Sequence, residues 1–217
     1  MRISLSEQCG WGSAPQTHER SSDVSGSRRL RPERLAGPVL GVAERLLGKR
    51  LVTVMDGVVT SVILCEVEAY GGADDPASHA FGGPGRRNRH MFAEAGILYV
   101  YRSYGIHWCA NVVTGQAGEG QAVLLRGGLP EKGVATMIAR RGRRDHLCDG
   151  PGKLTQALGL DGRHDGRPLW EGTEVWLEET GRPAPQWRDA PRVGISKATE
   201  RRWRLIATGM GYRAPRQ

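Results

Sequence analysis

Lysine is nearly missing from this chain. Only Lys49, Lys132, Lys153 and Lys197 are lysines, although lysine and arginine together number 31 against 23 acidic residues. The formal net charge is +8 and the pI is near 9.8. Arginine therefore carries the positive charge, and its planar fork matches phosphate geometry and is less strongly hydrated than an ammonium. That balance excludes an acidic, solvating chain and favours a polyanionic partner, nucleic acid before membrane. Long apolar runs are missing as well, and none approaches the ~20 residues of a membrane span. Cysteine is sparse: Cys9, Cys65, Cys109 and Cys148 lie far apart with no paired-cysteine motif. A disulfide framework is thereby excluded, no leader segment is read at the start of the chain, and a reducing, cytoplasmic location is expected, at the nucleoid if the source is bacterial. His107-x-Cys109 and His146-x-Cys148 look like ligand pairs. Structural zinc sites usually join two close pairs through a suitable turn, and Cys109 reads as a strand residue, so no metal is expected. No cofactor is expected either.

What is present suits one domain, because 217 residues would make two cramped. Residues 1–34 are polar and rich in Ser, Gly and Arg, and read as a disordered or start-site extension before a domain over 35–212. Val39, Leu40, Ala43, Leu46 and Leu47 recur at helical spacing, with Gly48 placed to end the helix. Two apolar runs follow, Leu51–Met55 and Val58 onward to Tyr70, joined by Asp56-Gly57, a hairpin dipeptide. Alternation puts Glu66, Glu68 and Tyr70 on one face of the second run and Val67 and Ala69 on the other. The stretch from Gly71 to Met91 is a loop too long for a simple connection. Ile97–Ser103 and His107–Thr114 form a second hairpin-like pair around Tyr104-Gly105, and Ala122–Arg126 a further short strand. Helices are expected over Glu131–Arg141 and Gly150–Leu160, with strands at Glu174–Leu177 and Trp203–Ile206. Hairpins mixed with helices, without βαβ repetition, define an α+β fold with an antiparallel sheet.

The aromatic residues are unevenly placed. Four of the five tyrosines and both phenylalanines, Phe81 and Phe92, fall between Tyr70 and Tyr104. Rings gathered beside an acid and a histidine in a basic chain suggest a pocket for a nucleobase. An enzyme that cuts a base from its deoxyribose needs flat walls for the extruded base and a group to fill the vacated stack. It also needs a carboxylate to activate water and support charge on the sugar, and arginines for the flanking phosphates. Glu68 is the candidate base, and Tyr70, His79 and Tyr101 the candidate slot. Tyr104 is the candidate wedge, and Arg86, Arg87 and Arg89 the candidate phosphate contacts. Each also has a plain structural reading: Glu68 as a strand-end surface acid, the tyrosines as half-buried strand aromatics, Tyr104 as an ordinary turn residue. No lysine lies between Glu68 and Asn111 to act as a lyase amine, and Lys153 reads as a phosphate contact.

With these residues in hand, the chain resembles the alkyladenine (3-methyladenine) DNA glycosylase family, the monofunctional type not built on helix-hairpin-helix motifs. The resemblance covers about residues 38–210 and rests on several ordered motifs. They are Glu66-Val67-Glu68-Ala69-Tyr70, Ala77-Ser78-His79, Arg87-Asn88-Arg89-x-Met91-Phe92, Leu98-Tyr99-Val100-Tyr101-x-x-Tyr104-Gly105 and Cys109-x-Asn111. Leu124-Leu125-Arg126, Gly150-Pro151-x-Lys153-Leu154 and Arg192-Val193-Gly194 complete the set. It implies Glu68 as general base, Arg126 as its partner in positioning the water, and Tyr70, His79 and Tyr101 as base-stacking residues. It further implies Asn111 as a gatekeeper against the exocyclic amine of guanine, and Tyr104 as the intercalating residue. The implied fold is a mixed domain similar to the C-terminal domain of methionyl-tRNA formyltransferase. The implied partner is double-stranded DNA with damaged purines such as 3-methyladenine, 7-methylguanine, hypoxanthine or ethenoadenine, met by a monomer. Arg102-Ser103 departs from the family's usual apolar residues beside the wedge. A non-catalytic nucleic-acid-binding module related to the formyltransferase domain, or a protein reading single-stranded RNA bases, is the rival reading.

Overall fold

The computed structural model describes residues 28–215. Its frame is a β-hairpin made by β1 (Arg50–Met55) and β2 (Val58–Gly71), closed at Asp56-Gly57. Both turn residues are left-handed, with φ of 52° and 75°, as a tight hairpin turn with the strands' own twist requires. β2 is the longest strand, and its partners change along its length. Its first half pairs with β1 and its later residues, Glu66–Glu68, with β8 (Arg204–Ala207). Along its other edge runs β5 (Gln121–Lys132), with register shifts near Leu64–Val67 where the partner changes. β3 (Leu98–Ser103) and β4 (His107–Thr114) extend the sheet beyond β5, and β6 (Val175–Glu178) lies outside β1. β7 (Trp187–Ala190) pairs with β8. All these pairings are antiparallel, and the eight strands form one curled sheet in an α+β domain.

One face of the sheet holds the main core. Val67, Ala69, Leu98, Val100, Ala110, Val112, Val123 and Leu125 pack there against helices α2 (Val39–Leu46) and α4 (Pro151–Leu158). α2 ends where expected, with Gly48 at φ 79° and its N–H on the Leu64 carbonyl at 2.8 Å. The opposite face carries a smaller apolar cluster of Ala80, Met91, Ile97, Tyr99, Val113 and Ala122, with Tyr70, Phe92 and Tyr101 at its margin. The long loop after β2 covers this second face.

Three points add to or revise these expectations. Strand β5 does not stop at Arg126 but continues to Lys132, so the helix expected from Glu131 is the shorter α3 (Val134–Arg141). The side-chain pattern lapses at Gly127-Gly128 because the backbones meet there: a Cβ on Gly128 would lie 2.6 Å from the Ile63 carbonyl oxygen. β7 carried no apolar signal, since three of its four residues are exposed. Third, the extension read over residues 1–34 lies mostly outside the described residues, but its end packs on the domain. Leu30 is buried and its N–H reaches the Leu177 carbonyl, Arg29 bridges to Glu178, and Pro32–Leu35 forms a helical turn, α1.

The covering loop is anchored by a buried ion pair. Asp75 and Arg192 are joined through both guanidinium nitrogens, the second contact at 2.9 Å, and Arg192 also donates to the Ala69 carbonyl at 3.0 Å. Asp75 accepts the amides of Gly71 and Ala77 as well. Burial pushes the Asp75 carboxyl up, yet Arg192 and the two amides outweigh it and hold the group below its usual value. A depressed carboxyl contributes stability above its unfolded pKa of about 3.9 and loses it as the pH falls through the folded value. Arg192→Met should therefore cost about 3–5 kcal/mol near neutral pH, since one charge is left buried alone. Its stability should also fall less steeply on acidification; urea unfolding across pH checks both, and a loss under about 1 kcal/mol contradicts the anchor.

Candidate active site

Register places the site. Tyr99 pairs with Asn111, Asn111 with Leu124, Leu124 with Glu68, and Glu68 with Arg204, one row across β3, β4, β5, β2 and β8. Neighbouring positions two residues along each strand share its face, which brings Tyr101, Cys109, Arg126, Glu66 and Tyr70 beside the row. Strand alternation thus assembles rings, amide and charges from five strands on the covered face.

Glu68 is fully buried. Its Oε2 accepts the Tyr70 hydroxyl at 2.8 Å, its Oε1 accepts the Val193 amide at 2.7 Å, and Arg126 Nη1 lies 3.3 Å from Oε1. Burial raises the Glu68 pKa, and Arg126, the Val193 amide, the Tyr70 hydroxyl and Arg204 oppose that rise without cancelling it. Such a carboxylate sits closer to a proton acceptor's working range than a solvated one. Arg126 also donates through Nε to Glu66 Oε1 at 3.0 Å. Glu66 is buried too, and accepts the Tyr212 hydroxyl on Oε2 at 2.7 Å. Arg204 Nε lies 2.9 Å from Glu66 Oε1, as an ion pair off the line a hydrogen bond needs. Two acids against two guanidiniums leave the cluster balanced in charge.

The rings lie on the same face. His79 and Tyr101 meet edge to face with centroids 4.4 Å apart, and Tyr101 stacks on Tyr99 at 5.5 Å. His79 Nδ1 is 3.1 Å from the Tyr99 hydroxyl. His79 is exposed as a residue, and the packing of its ring against Tyr99 and Tyr101 desolvates it enough to lower its pKa, which favours the neutral ring. Tyr70 carries the Arg192 guanidinium over its ring at 4.7 Å. Asn111 is buried and donates to the Tyr99 carbonyl at 3.1 Å. Around this group Tyr104 projects from the β3–β4 tip, 87% exposed at φ 49°, with Gly105 following at φ 68°.

The expected residues divide accordingly. Glu68, Arg126, Tyr70, Tyr101 and Asn111 share the covered face, exposed His79 meets Tyr101 from the covering loop, and Tyr104 stands at the hairpin tip. Arg86, Arg87 and Arg89 are exposed on the loop that carries His79. Lys153 Nζ, by contrast, is engaged by Asp149 at 2.9 Å at the start of α4, with His146 on the other oxygen of Asp149. Asp75, Arg192, Val193, Arg204 and Tyr212 were missed as parts of the site. Only Arg192-Val193-Gly194 gave a signal, as a motif without an assigned task. Among the described residues no three His, Cys, Asp or Glu side chains could together hold a metal, and no helix is long and apolar enough to cross a membrane. A surface cavity of about 570 Å³ lies past the end of β2, against Pro38, Asp74, Glu119, Gln121 and Trp203, apart from these groups.

A buried acid held by a guanidinium and a tyrosine thus lies beside rings and under a loop with exposed arginines. Comparison with known proteins supplies the class. The sequence pattern of the family described as "Methylpurine-DNA glycosylase (MPG)" matches residues 33–210, and the chain belongs to this family of DNA glycosylases. A protein of Rhodopseudomonas palustris (strain BisB18) named "Putative 3-methyladenine DNA glycosylase" is 47% identical over 187 residues, covering 85% of this chain and 90% of its own length. Proteins of the same name from Chlorobaculum tepidum and Mycolicibacterium fortuitum are 44% and 46% identical. They cover 85% and 75% of this chain, and 90% and 86% of their own lengths.

The hydrogen bond from Tyr70 gives a direct test of the electrostatics. Tyr70→Phe keeps the ring but deletes a donor that favours the charged carboxylate, so Glu68 should titrate higher than in the wild type. Carbon-13 NMR of the glutamate carboxyls reads this, and an unmoved Glu68 resonance would reject the assigned bond.

Proposed function

We propose that this protein removes alkylated purines from double-stranded DNA by hydrolysing the N-glycosidic bond, leaving an abasic site without cutting the strand. The observation that carries the reading is the burial of Glu68 against Arg126 and Tyr70 on the ring-bearing face. In this reading the damaged nucleotide rotates out of the duplex and Tyr104 enters the vacated stack from the minor groove. Tyr70 forms one wall of the slot and the touching pair His79–Tyr101 the other. Glu68 takes the proton of a water aimed at the sugar carbon, and Arg126 holds that water with it. Electron-rich rings attract a cationic base such as 3-methyladenine or 7-methylguanine by roughly 1–2 kcal/mol when desolvated. A neutral His79 adds no repulsion to such a base.

Asn111 obstructs the exocyclic amine of normal guanine from the floor of the slot, and its bond to the Tyr99 carbonyl fixes its direction. The main-chain amide of His79 faces the base edge as a donor. Exposed Arg86, Arg87 and Arg89 contact phosphates, while Lys153, already paired with Asp149, reaches a phosphate only by exchanging partners. Hydrolysis rather than lyase chemistry fits the absence of lysine between Glu68 and Asn111. Hypoxanthine and ethenoadenine, being neutral, ask more of the leaving group than a cationic base does.

The test is release of free base from duplex DNA holding one alkylated purine. Glu68→Gln should bind the lesion yet excise at least about 100-fold more slowly, the scale of a lost general base. If the wild type frees no alkylated or deaminated purine, the proposal is wrong. Tyr104→Ala should weaken binding to lesion DNA more than it slows excision from the bound state. Equal affinity of variant and wild type would remove the wedge.

A further inference from the structure

Tyr212 lies two residues beyond the segment that matches the family, yet its hydroxyl reaches the centre of the charge cluster. Its Oη donates to Glu66 Oε2 at 2.7 Å. Glu66 in turn accepts from Arg126 Nε at 3.0 Å, and the same guanidinium turns Nη1 to Glu68 at 3.3 Å. The backbone makes room for this reach. Gly127 stands opposite Glu66 in the β2–β5 ladder, and a Cβ there would lie 2.0 Å from the Tyr212 hydroxyl oxygen. A glycine in mid-strand weakens the strand and commonly marks a close approach. Here the group that approaches is a phenol from the far end of the chain.

We infer that Tyr212 is a positioning residue for the excision proposed above, acting through Glu66 to set the orientation of Arg126 beside Glu68. Arg126 has two carboxylates to choose between. With Tyr212 and Arg204 supporting Glu66 from its other side, Glu66 stays a fixed acceptor for Nε and leaves Nη1 for Glu68. Without the phenol, Glu66 loses its one hydroxyl donor among the described residues, and its carboxylate then draws more fully on Arg126. Glu68 loses cationic support as a result and takes up a proton at higher pH. The charged and titratable groups facing Glu66 are Arg126 from β5, Glu68 from β2, Arg204 from β8 and Tyr212, with Cys65 and Asp149 close enough to act on Tyr212.

The inference rests on the glycosylase reading, and its test separates the two. Single-turnover excision of an alkylated purine from duplex DNA is followed across pH for the wild type, Tyr212→Phe and Gly127→Ala. Tyr212→Phe should lower the rate at neutral pH about tenfold, the size of one hydrogen bond to a charged group. It should also move the acid limb of the profile upward while leaving affinity for lesion DNA intact. Gly127→Ala, which displaces the hydroxyl, should shift the limb the same way. A Tyr212→Phe enzyme with an unmoved limb overturns the inference, whether its rate is unchanged or uniformly reduced. If the wild type excises nothing, the glycosylase reading fails instead. Carbon-13 titration of the Glu66 and Glu68 carboxyls then decides the coupling by itself: no movement of either on Tyr212→Phe overturns it.

Discussion

Two glutamates two residues apart on a buried strand are held in place by two arginines, and the rest of the architecture follows from that arrangement. Removing an ion pair from water costs more than its attraction returns unless every remaining lone pair and proton finds a partner. The chain draws those partners from distant places, with Arg126 from β5, the Val193 amide and the hydroxyls of Tyr70 and Tyr212 as donors, while Arg204 from β8 adds an ion pair whose Nε makes no hydrogen bond. A fold with only a hairpin to offer could not converge so many donors. The sheet curls, and β2 changes partners midway, so that β2, β5, β8 and the segments carrying Val193 and Tyr212 face one spot.

The same economy governs the loop that bears His79. A loop of this length would cover the rings only part of the time if nothing tied it down. The Asp75–Arg192 pair ties it to the segment that carries Val193, so the loop over the slot and the amide on Glu68 share one fastening. Arg192 lies at the same time over Tyr70 and near Trp203, at 4.7 and 5.4 Å from their ring centres. Floor, wall and cover are therefore held in one contiguous network.

Much of this was legible in the sequence because it is local. Asp56-Gly57 announces its hairpin, and alternation alone puts Glu66, Glu68 and Tyr70 on the face opposite Val67 and Ala69. The aromatic concentration between Tyr70 and Tyr104 located the ring-bearing face, and the ordered motifs named the family. What escaped is what acts across the chain. Asp75 meets Arg192 over 117 residues and Tyr212 meets Glu66 over 146, and neither pair has a spacing that local periodicity can read. Gly127-Gly128 misled for a related reason: a strand whose side chains are removed to admit a neighbour looks like the end of a strand. Lys153 reads as a lone cation in a basic chain, and the structure sets Asp149 beside it.

The residues just ahead of the first helix carry a further consequence. Arg28, Arg29 and Leu30 run beside β6, the outermost strand on that side of the sheet: the Leu30 amide donates to the Leu177 carbonyl, Arg29 lies across from Glu178, and the Arg28 carbonyl accepts from the Glu179 amide. A strand with bare amides and carbonyls is a template for any other extended chain. This short strap occupies that template, so a version trimmed to begin at Pro32 would offer an open margin to its own copies, and stickiness at high concentration would follow from the loss of the contacts that Arg28, Arg29 and Leu30 make along β6.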